Sequence, residues 1–390
     1  MKHLTIRHFG PIEEADVEFS RINLVIGPQS SGKSTVLKVA CFCDWMERQI
    51  ELTQDPGKYC EGGFFVANLV GFHRLDGYMH PDTYIGYEND AVSFEYSSRT
   101  GNCSFRWNEP KRWKYRRAKI AYIPAERNLV AAIPNWYQVS MNKDNILDFM
   151  KEWEFARKTF SKGEQILDLP VQYKYNARSE GDRIMLGNGK ELALHVASSG
   201  LQSLTPLYVM LRYLTSDYFQ ETHANVEQEM QRQNLYRVVA RECAGLPKEE
   251  QMKLADSILA PHHTDLFIEE PESHIFPSTQ RSLVYSLVRM LNEGRKHSCF
   301  IATHSPYVMT SFNNLVLAGE KAGESEEKAA LVSRLMPKSQ TLLYDEVAAF
   351  EMKDGRMRSI LDDEFRLISA EAIDSASQEI GDDFDYLLNL

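Results

Sequence analysis

The run Gly27-Pro28-Gln29-Ser30-Ser31-Gly32-Lys33-Ser34-Thr35 matches the pattern G-x-x-x-x-G-K-[ST] without a gap. Its flanks constrain the fold more than the match itself. Ile22-Asn23-Leu24-Val25-Ile26 enters it as a short, mostly apolar strand. Val36, Leu37, Ala40, Cys43 and Ile50 leave it at helical spacing. A strand, a Gly/Ser-rich turn and a helix N-terminus aim backbone N–H groups and a positive dipole end at one spot, which is what a phosphate needs. In that arrangement Gly27 and Gly32 let the backbone wrap closely, Lys33 reaches the outer phosphates and Ser34 ligates Mg²⁺. The nine residues are candidate nucleotide-binding residues, with ATP and Mg²⁺ as the expected ligands.

The rest of the chain supplies strands and helices around this unit. Leu4–Phe9 and Ala15–Phe19 alternate like strands about a Gly10-Pro11 turn. Residues 55–125 are rich in aromatics, Gly and Asn, and Val92–Tyr96 and Cys103–Trp107 alternate like an antiparallel sheet. Lys119–Ile123 reads as a strand ending at Pro124. Residues 142–160 are helical in pattern, and 170–196 return to strands about turns at Glu180-Gly181 and Gly187-Asn188-Gly189. From Leu201 a helix carries Leu204, Leu207, Tyr208 and Leu211 on one face. Residues 217–258 are polar and helix-favouring. Asp265–Ile268 and Ser298–Thr303 are buried-strand candidates, separated by a helix from Ser278 to Glu293 that Gly294 stops.

Two strand ends carry chemistry. Leu266-Phe267-Ile268 runs into Glu269-Glu270-Pro271-Glu272. A nucleotide hydrolase needs one acid to hold the metal and one group to orient or deprotonate water. Neighbouring residues at a strand end project to opposite sides and can divide those jobs. Glu269 is the candidate metal-side acid and Glu270 the candidate base. Thr303-His304-Ser305-Pro306 follows the next strand, where His304 can sense a terminal phosphate. Ala197-Ser198-Ser199-Gly200-Leu201 opens a helix as a second anion-seeking turn. Standing alone, Ser198 would be a plain N-cap.

Composition bounds the remaining choices. The formal net charge of −11 excludes a globally basic nucleic-acid binder. It is uneven: residues 319–390 hold 17 acids against 8 bases, which leaves residues 1–318 at −2. The basic stretch Lys111-Arg112-Trp113-Lys114-Tyr115-Arg116-Arg117-Ala118-Lys119 has interleaved aromatics and is a candidate nucleic-acid contact. A solvated edge strand is the competing reading. The six cysteines form no C-x-x-C pair, the first nine residues hold no signal-like apolar stretch, and no apolar run is long enough to span a membrane. A reduced, cytoplasmic setting without a membrane is the expectation.

Taken in order, the phosphate loop, the Ser-Ser-Gly helix, Ile-Glu-Glu-Pro-Glu and Thr-His-Ser-Pro resemble the ABC-type ATPases. Phe9-Gly10-Pro11-Ile12, Glu269–His274 with Pro277, and Ala302–Pro306 are similar to the SMC-like and OLD-type (AAA-family) branch of prokaryotes. The resemblance covers about residues 1–316. It implies an α/β fold of the P-loop NTPase, ABC-ATPase head type: a mixed sheet with an antiparallel β subdomain, helical insertions and a small acidic C-terminal segment. The corresponding parts are an N-terminal lobe over 1–125, a helix and hairpin lobe over 126–216 ending in the signature helix, a helical insertion over 217–260, the remaining core over 261–318, and the acidic segment 319–390.

The resemblance also implies a Mg²⁺-dependent ATPase that forms a head-to-head homodimer, or a higher even-numbered oligomer, around two ATP. Lys33, Glu270 and His304 are then catalytic, with His304 the switch histidine. Ser34 and Glu269 hold the metal. Ser198, Ser199 and Gly200 contact the partner's ATP, and Ser273–Pro277 couple the two sites. Departures are visible: Glu269 stands where an Asp is usual, the signature reads Ser198-Ser199-Gly200-Leu201, and Pro124–Asn128 lacks the expected glutamine, for which Glu126 is the candidate substitute. The residues after 316 are too few for the Toprim nuclease that OLD-type proteins often carry. That points to a stand-alone ATPase switching a separate effector, such as a nuclease or toxin, in anti-phage defence. A DNA-binding repair or DNA-structure-sensing ATPase is the alternative.

Overall fold

The computed structural model describes residues 2–179, 181–220 and 226–369. Glu180 of the expected turn, residues 221–225 of the expected insertion and residues 370–390 of the acidic segment lie outside the described residues.

The fold is α/β. Among the described residues, eleven strands join one mixed sheet in the order β6-β5-β4-β1-β2-β15-β14-β3-β13-β12-β7. These are β1 (Lys2–Phe9), β2 (Ile12–Phe19), β3 (Ile22–Ile26), β4 (Met79–Glu88), β5 (Val92–Ser97), β6 (Asn102–Trp107), β7 (Ala118–Ile123), β12 (His263–Glu269), β13 (Ser298–Thr303), β14 (Val347–Lys353) and β15 (Arg356–Ser359). Strands β7, β12, β13, β3 and β14 run parallel. Pairings β2·β1, β1·β4, β4·β5 and β5·β6 are antiparallel. The antiparallel wing extends the same sheet.

Both faces of the parallel part are covered, so its strands read as apolar runs. Alternation sorts the side chains. Leu24, Ile26, Leu266, Ile268, Cys299 and Ile301 enter one core, with helices α5 (Asn145–Thr159), α6 (Ser199–Thr215), α9 (Pro277–Asn292) and α10 (Pro306–Glu324). Val25, Phe267, Phe300 and Ala302 face the other core, built on helix α1 (Lys33–Thr53) and the wing. Asp144 caps α5 by accepting from the N–H groups of Ile146 and Leu147, both at 3.1 Å. A four-stranded sheet of β8 (Glu164–Gln165), β9 (Val171–Asn176), β10 (Gly181–Leu186) and β11 (Glu191–Ala193) packs against α5 through Trp153 and Tyr173.

In three regions the packing goes beyond what periodicity shows. The residues before β4 are helical at α2 (Gly57–Cys60) and α3 (Gly62–Val66), where Phe65 stacks on Tyr96. Their aromatics serve the second core, which hides any alternation. The polar stretch after 226 forms α7 (Val226–Glu242) and α8 (Lys248–Leu259), which close on Leu52 of α1 through Leu235, Val239, Ala255 and Ile258. Charge alone sets residues 319–390 apart, yet β14 pairs directly with β3, in the middle of the sheet. Its run Val347-Ala348-Ala349-Phe350 is buried. No helix among the described residues is long and apolar enough to cross a membrane.

Candidate nucleotide site

The loop Gly27–Gly32 leaves β3 and delivers Lys33 as the first residue of α1, with Ser34 and Thr35 next in the same turn. Gly32 sits at φ 110°, a backbone conformation that favours glycine. A Cβ on Gly27 would lie 2.2 Å from the Met352 carbonyl oxygen, so β14 forms one wall of the loop. A Cβ on Gly32 would lie 3.0 Å from Met352 Cε and 3.1 Å from Ile12 Cγ1. Lys33 is buried, and its Nζ donates to the carbonyls of Gly27 at 2.8 Å and Pro28 at 2.6 Å. Burial pulls its pKa down to about 8, while Glu270 and Glu272 work in the opposite direction.

Glu269, the last residue of β12, is buried among hydrogen-bond donors. The Tyr122 hydroxyl donates to its Oε1, the Ala125 N–H donates to Oε2 at 3.2 Å, and Lys38 Nζ is 4.0 Å from Oε1. Hydrogen bonds of this kind fix a carboxylate's orientation before any ligand arrives. Lys38 belongs to α1, so Glu269 faces the helix that leaves the phosphate loop. The donor set fits Mg²⁺: a Ser34 hydroxyl and one carboxylate are hard oxygen ligands, and Mg²⁺ takes few protein ligands beside phosphate and water.

Glu270 has left strand geometry. Its φ is 41°, its backbone N–H donates to the Ala302 carbonyl, and Ser273 Oγ donates to its Oε2 at 3.0 Å. His304 Nε2 lies 3.5 Å from its Oε1. His304 first, and then Ser273, hold the Glu270 carboxyl below its ordinary pKa despite partial burial. Glu272 accepts from the His304 backbone N–H at 2.6 Å and leaves a buried Oε2 without a partner. Ser305 then caps α10 and donates to Gln280 Oε1 at 2.6 Å, which fixes the turn that carries His304.

The structure therefore brings Lys33, Glu269, Glu270 and His304 together. It places Ser198–Gly200 elsewhere. Ser198 caps α6 by accepting from the Leu201 N–H at 3.4 Å, and a Cβ on Gly200 would lie 3.0 Å from the His274 carbonyl oxygen. This turn abuts the segment after Glu270. Among the described residues nothing joins it to Gly27–Thr35. Glu126 is half exposed and lies 3.7 Å from Arg74.

Sequence reading misses Tyr122, Arg127, Glu272 and Met352 as contributors. Glu272 stood inside the acidic run and could have been found there. The others act through a single hydroxyl, through inward bonds to carbonyls and through a main-chain oxygen, none of which has a spacing signature.

The basic stretch does not survive as a continuous surface. Arg112 lies over the rings of Trp107 and Trp113, at 4.3 and 4.8 Å, and donates to Gln54. Arg117 donates to the Leu259 carbonyl at 2.6 Å, and Lys119 pairs with Glu152 at 2.6 Å. Lys114 and Arg116 remain exposed. Asp362 closes a local turn, accepting from the N–H groups of Glu364 and Phe365, both at 3.0 Å.

A scan of protein-family models finds no match, and a search of curated proteins finds none. Among solved structures, an SMC head domain from Thermotoga maritima is 12% identical with a TM-score of 0.40, over 92% of this chain and 97% of that one. An Smc head domain bound to the C-terminal domain of ScpA, derived from Pyrococcus furiosus, is 11% identical with a TM-score of 0.40, over 97% and 100%. The recombination mediator protein RecF is 10% identical with a TM-score of 0.36, over 92% and 97%. Likeness of this size says nothing about substrate or activity.

Proposed function

We propose that the chain binds ATP with Mg²⁺ at Gly27–Thr35 and hydrolyses it in a head-to-head dimer. The observation that carries this reading is the convergence of Lys33, Glu269, Glu270 and His304 on one loop from three adjacent parallel strands. Mg²⁺, held by Ser34 and Glu269, supplies charge neutralisation for the phosphates. Lys33 binds the outer phosphates, Glu270 orients and deprotonates water, and His304 steadies the Glu270 carboxylate. Ser198 and Ser199 sit on a helix N-terminus away from their own loop, which supports a role in completing the site of a second copy.

Within this reading the chain is a nucleotide-driven switch. ATP closes the dimer, hydrolysis reopens it, and a separate effector protein such as a nuclease or toxin is held or released. Anti-phage defence is the setting proposed for the switch, and phage plating on cells carrying the wild-type or Lys33→Ala chain with its neighbouring gene tests it.

Mixed dimers test the core of the proposal. Lys33→Ala and Ser198→Arg should each abolish turnover alone, and their mixture should recover part of it. Without recovery, Ser198 does not act across a dimer. Normal ATP affinity in Lys33→Ala would remove the phosphate-loop assignment.

A further inference from the structure

Arg127 is fully buried at the end of β7, where the sequence departs from the expected glutamine. All five of its guanidinium N–H groups find backbone carbonyls. Nε donates to Ser203 at 3.3 Å. Nη1 donates to Pro124 at 3.3 Å and Glu269 at 2.9 Å. Nη2 donates to Glu270 at 2.8 Å and Pro271 at 3.4 Å. One side chain thus ties together the strand end at Pro124, the two acids of the site and the signature helix α6.

A buried guanidinium is expensive unless its N–H groups are satisfied, and an apolar side chain in its place would take this donor away from five carbonyls. What the arginine adds is a rigid fork that spans three segments. One acceptor belongs to Glu270, whose φ of 41° is uncommon for a residue with a side chain. Another belongs to Ser203, five residues along α6 from Ser198, about 7.5 Å on a helix axis. The Gly200 turn packs on the His274 carbonyl, so α6 and the turn after Glu270 touch at a second point.

We propose that Arg127 is a positioning residue that couples the signature helix to the base. Engagement of Ser198 by nucleotide across the dimer displaces α6, and the Ser203–Arg127–Glu270 link carries that displacement into the Glu270 backbone. This inference rests on the reading of Glu270 and Ser198 given above.

The test compares Arg127→Lys and Glu270→Gln with wild type in ATP affinity, ATP-dependent dimer formation and steady-state kinetics. Lysine keeps the charge but has three donors on one nitrogen, too few for the five carbonyls and without the planar fork that holds them in fixed geometry. Arg127→Lys should bind ATP and dimerise within about threefold of wild type, with KM little changed and kcat down at least about tenfold. A kcat within about twofold of wild type overturns the coupling, because charge alone then suffices. Equal losses in affinity, dimerisation and turnover overturn it too, since they mark a general structural role. Glu270→Gln separates the two levels. Wild-type turnover in that variant removes the assignment of the base itself. Lost turnover there beside normal turnover in Arg127→Lys removes only the coupling.

Discussion

His304 Nε2 lies 3.5 Å from Glu270 Oε1, and the two side chains come from the ends of adjacent parallel strands, β13 and β12. The contact links the residue proposed to sense a terminal phosphate to the residue proposed to act on water. Glu270→Gln keeps shape and hydrogen bonding but removes the carboxylate. Turnover should fall at least about a hundredfold, the size expected for losing a general base. ATP should stay bound, and a stable ATP dimer should accumulate on size-exclusion chromatography. Turnover at the wild-type rate would assign the base elsewhere.

Helix α10 offers a paired test of packing. A Cβ on Gly319 would lie 1.9 Å from the Leu342 carbonyl oxygen, whereas one on Gly323, a turn later, meets nothing within 4 Å. The Leu342 N–H also donates to the Leu315 carbonyl at 3.1 Å, so this helix positions the chain that leads into β14. Gly319→Ala should cost about 1–3 kcal/mol through overpacking. Gly323→Ala should gain up to about 1 kcal/mol from helix propensity. Urea unfolding midpoints of the two variants should move in opposite directions.

Much of the candidate site's arrangement was legible because the residues proposed for it lie at strand ends or just beyond them. Glu269, Glu270 and His304 each follow a short apolar run directly and Lys33 follows one across the Gly27–Gly32 loop, and a run of that kind marks a buried strand wherever it lies. The role of β14 was not legible. Val347–Phe350 is as apolar as β3, but it sits in a segment whose charge is dominated by acidic residues, and pairing between strands more than 320 residues apart leaves no local signal. The basic stretch is interrupted for a related reason. Composition counts Arg112, Arg117 and Lys119 as free charge, whereas tertiary structure gives each an internal partner.

Among the described side chains of this stretch, nucleic-acid contact can therefore be reduced to two exposed cations. Lys114→Glu with Arg116→Glu changes only side chains that face water. If these positions touch a phosphate backbone, DNA affinity should fall and its salt dependence should flatten by roughly one charge per lost contact. The expectation from the internal partners of the other cations is weak wild-type binding with no such change, measured by fluorescence anisotropy at two salt concentrations. Arg117→Glu is a poor probe, because it breaks the bond to Leu259 that helps dock α8.

His297 gives the fold a dependence on pH. It is fully buried, and its Nδ1 accepts from the Thr264 N–H at 3.0 Å, which requires an unprotonated ring nitrogen. Burial, followed by the neighbouring His263 and Arg295 charges, lowers its pKa to about 4. The unfolded chain, with an ordinary histidine pKa of about 6.5, binds the proton first as pH falls. Stability from this group is thus complete above about pH 6.5, declines between about 6.5 and 4 by up to about 1.4 kcal/mol per pH unit, and levels off below. His73, also buried and lowered to about 3, adds a second such proton. His297→Gln keeps an acceptor without a titratable ring. It should lower stability near neutrality and flatten the decline by the slope of one proton. Urea midpoints at about pH 7.5, 6, 5 and 4.5 measure both effects, and equal slopes in the two proteins would show that His297 takes up no proton on unfolding.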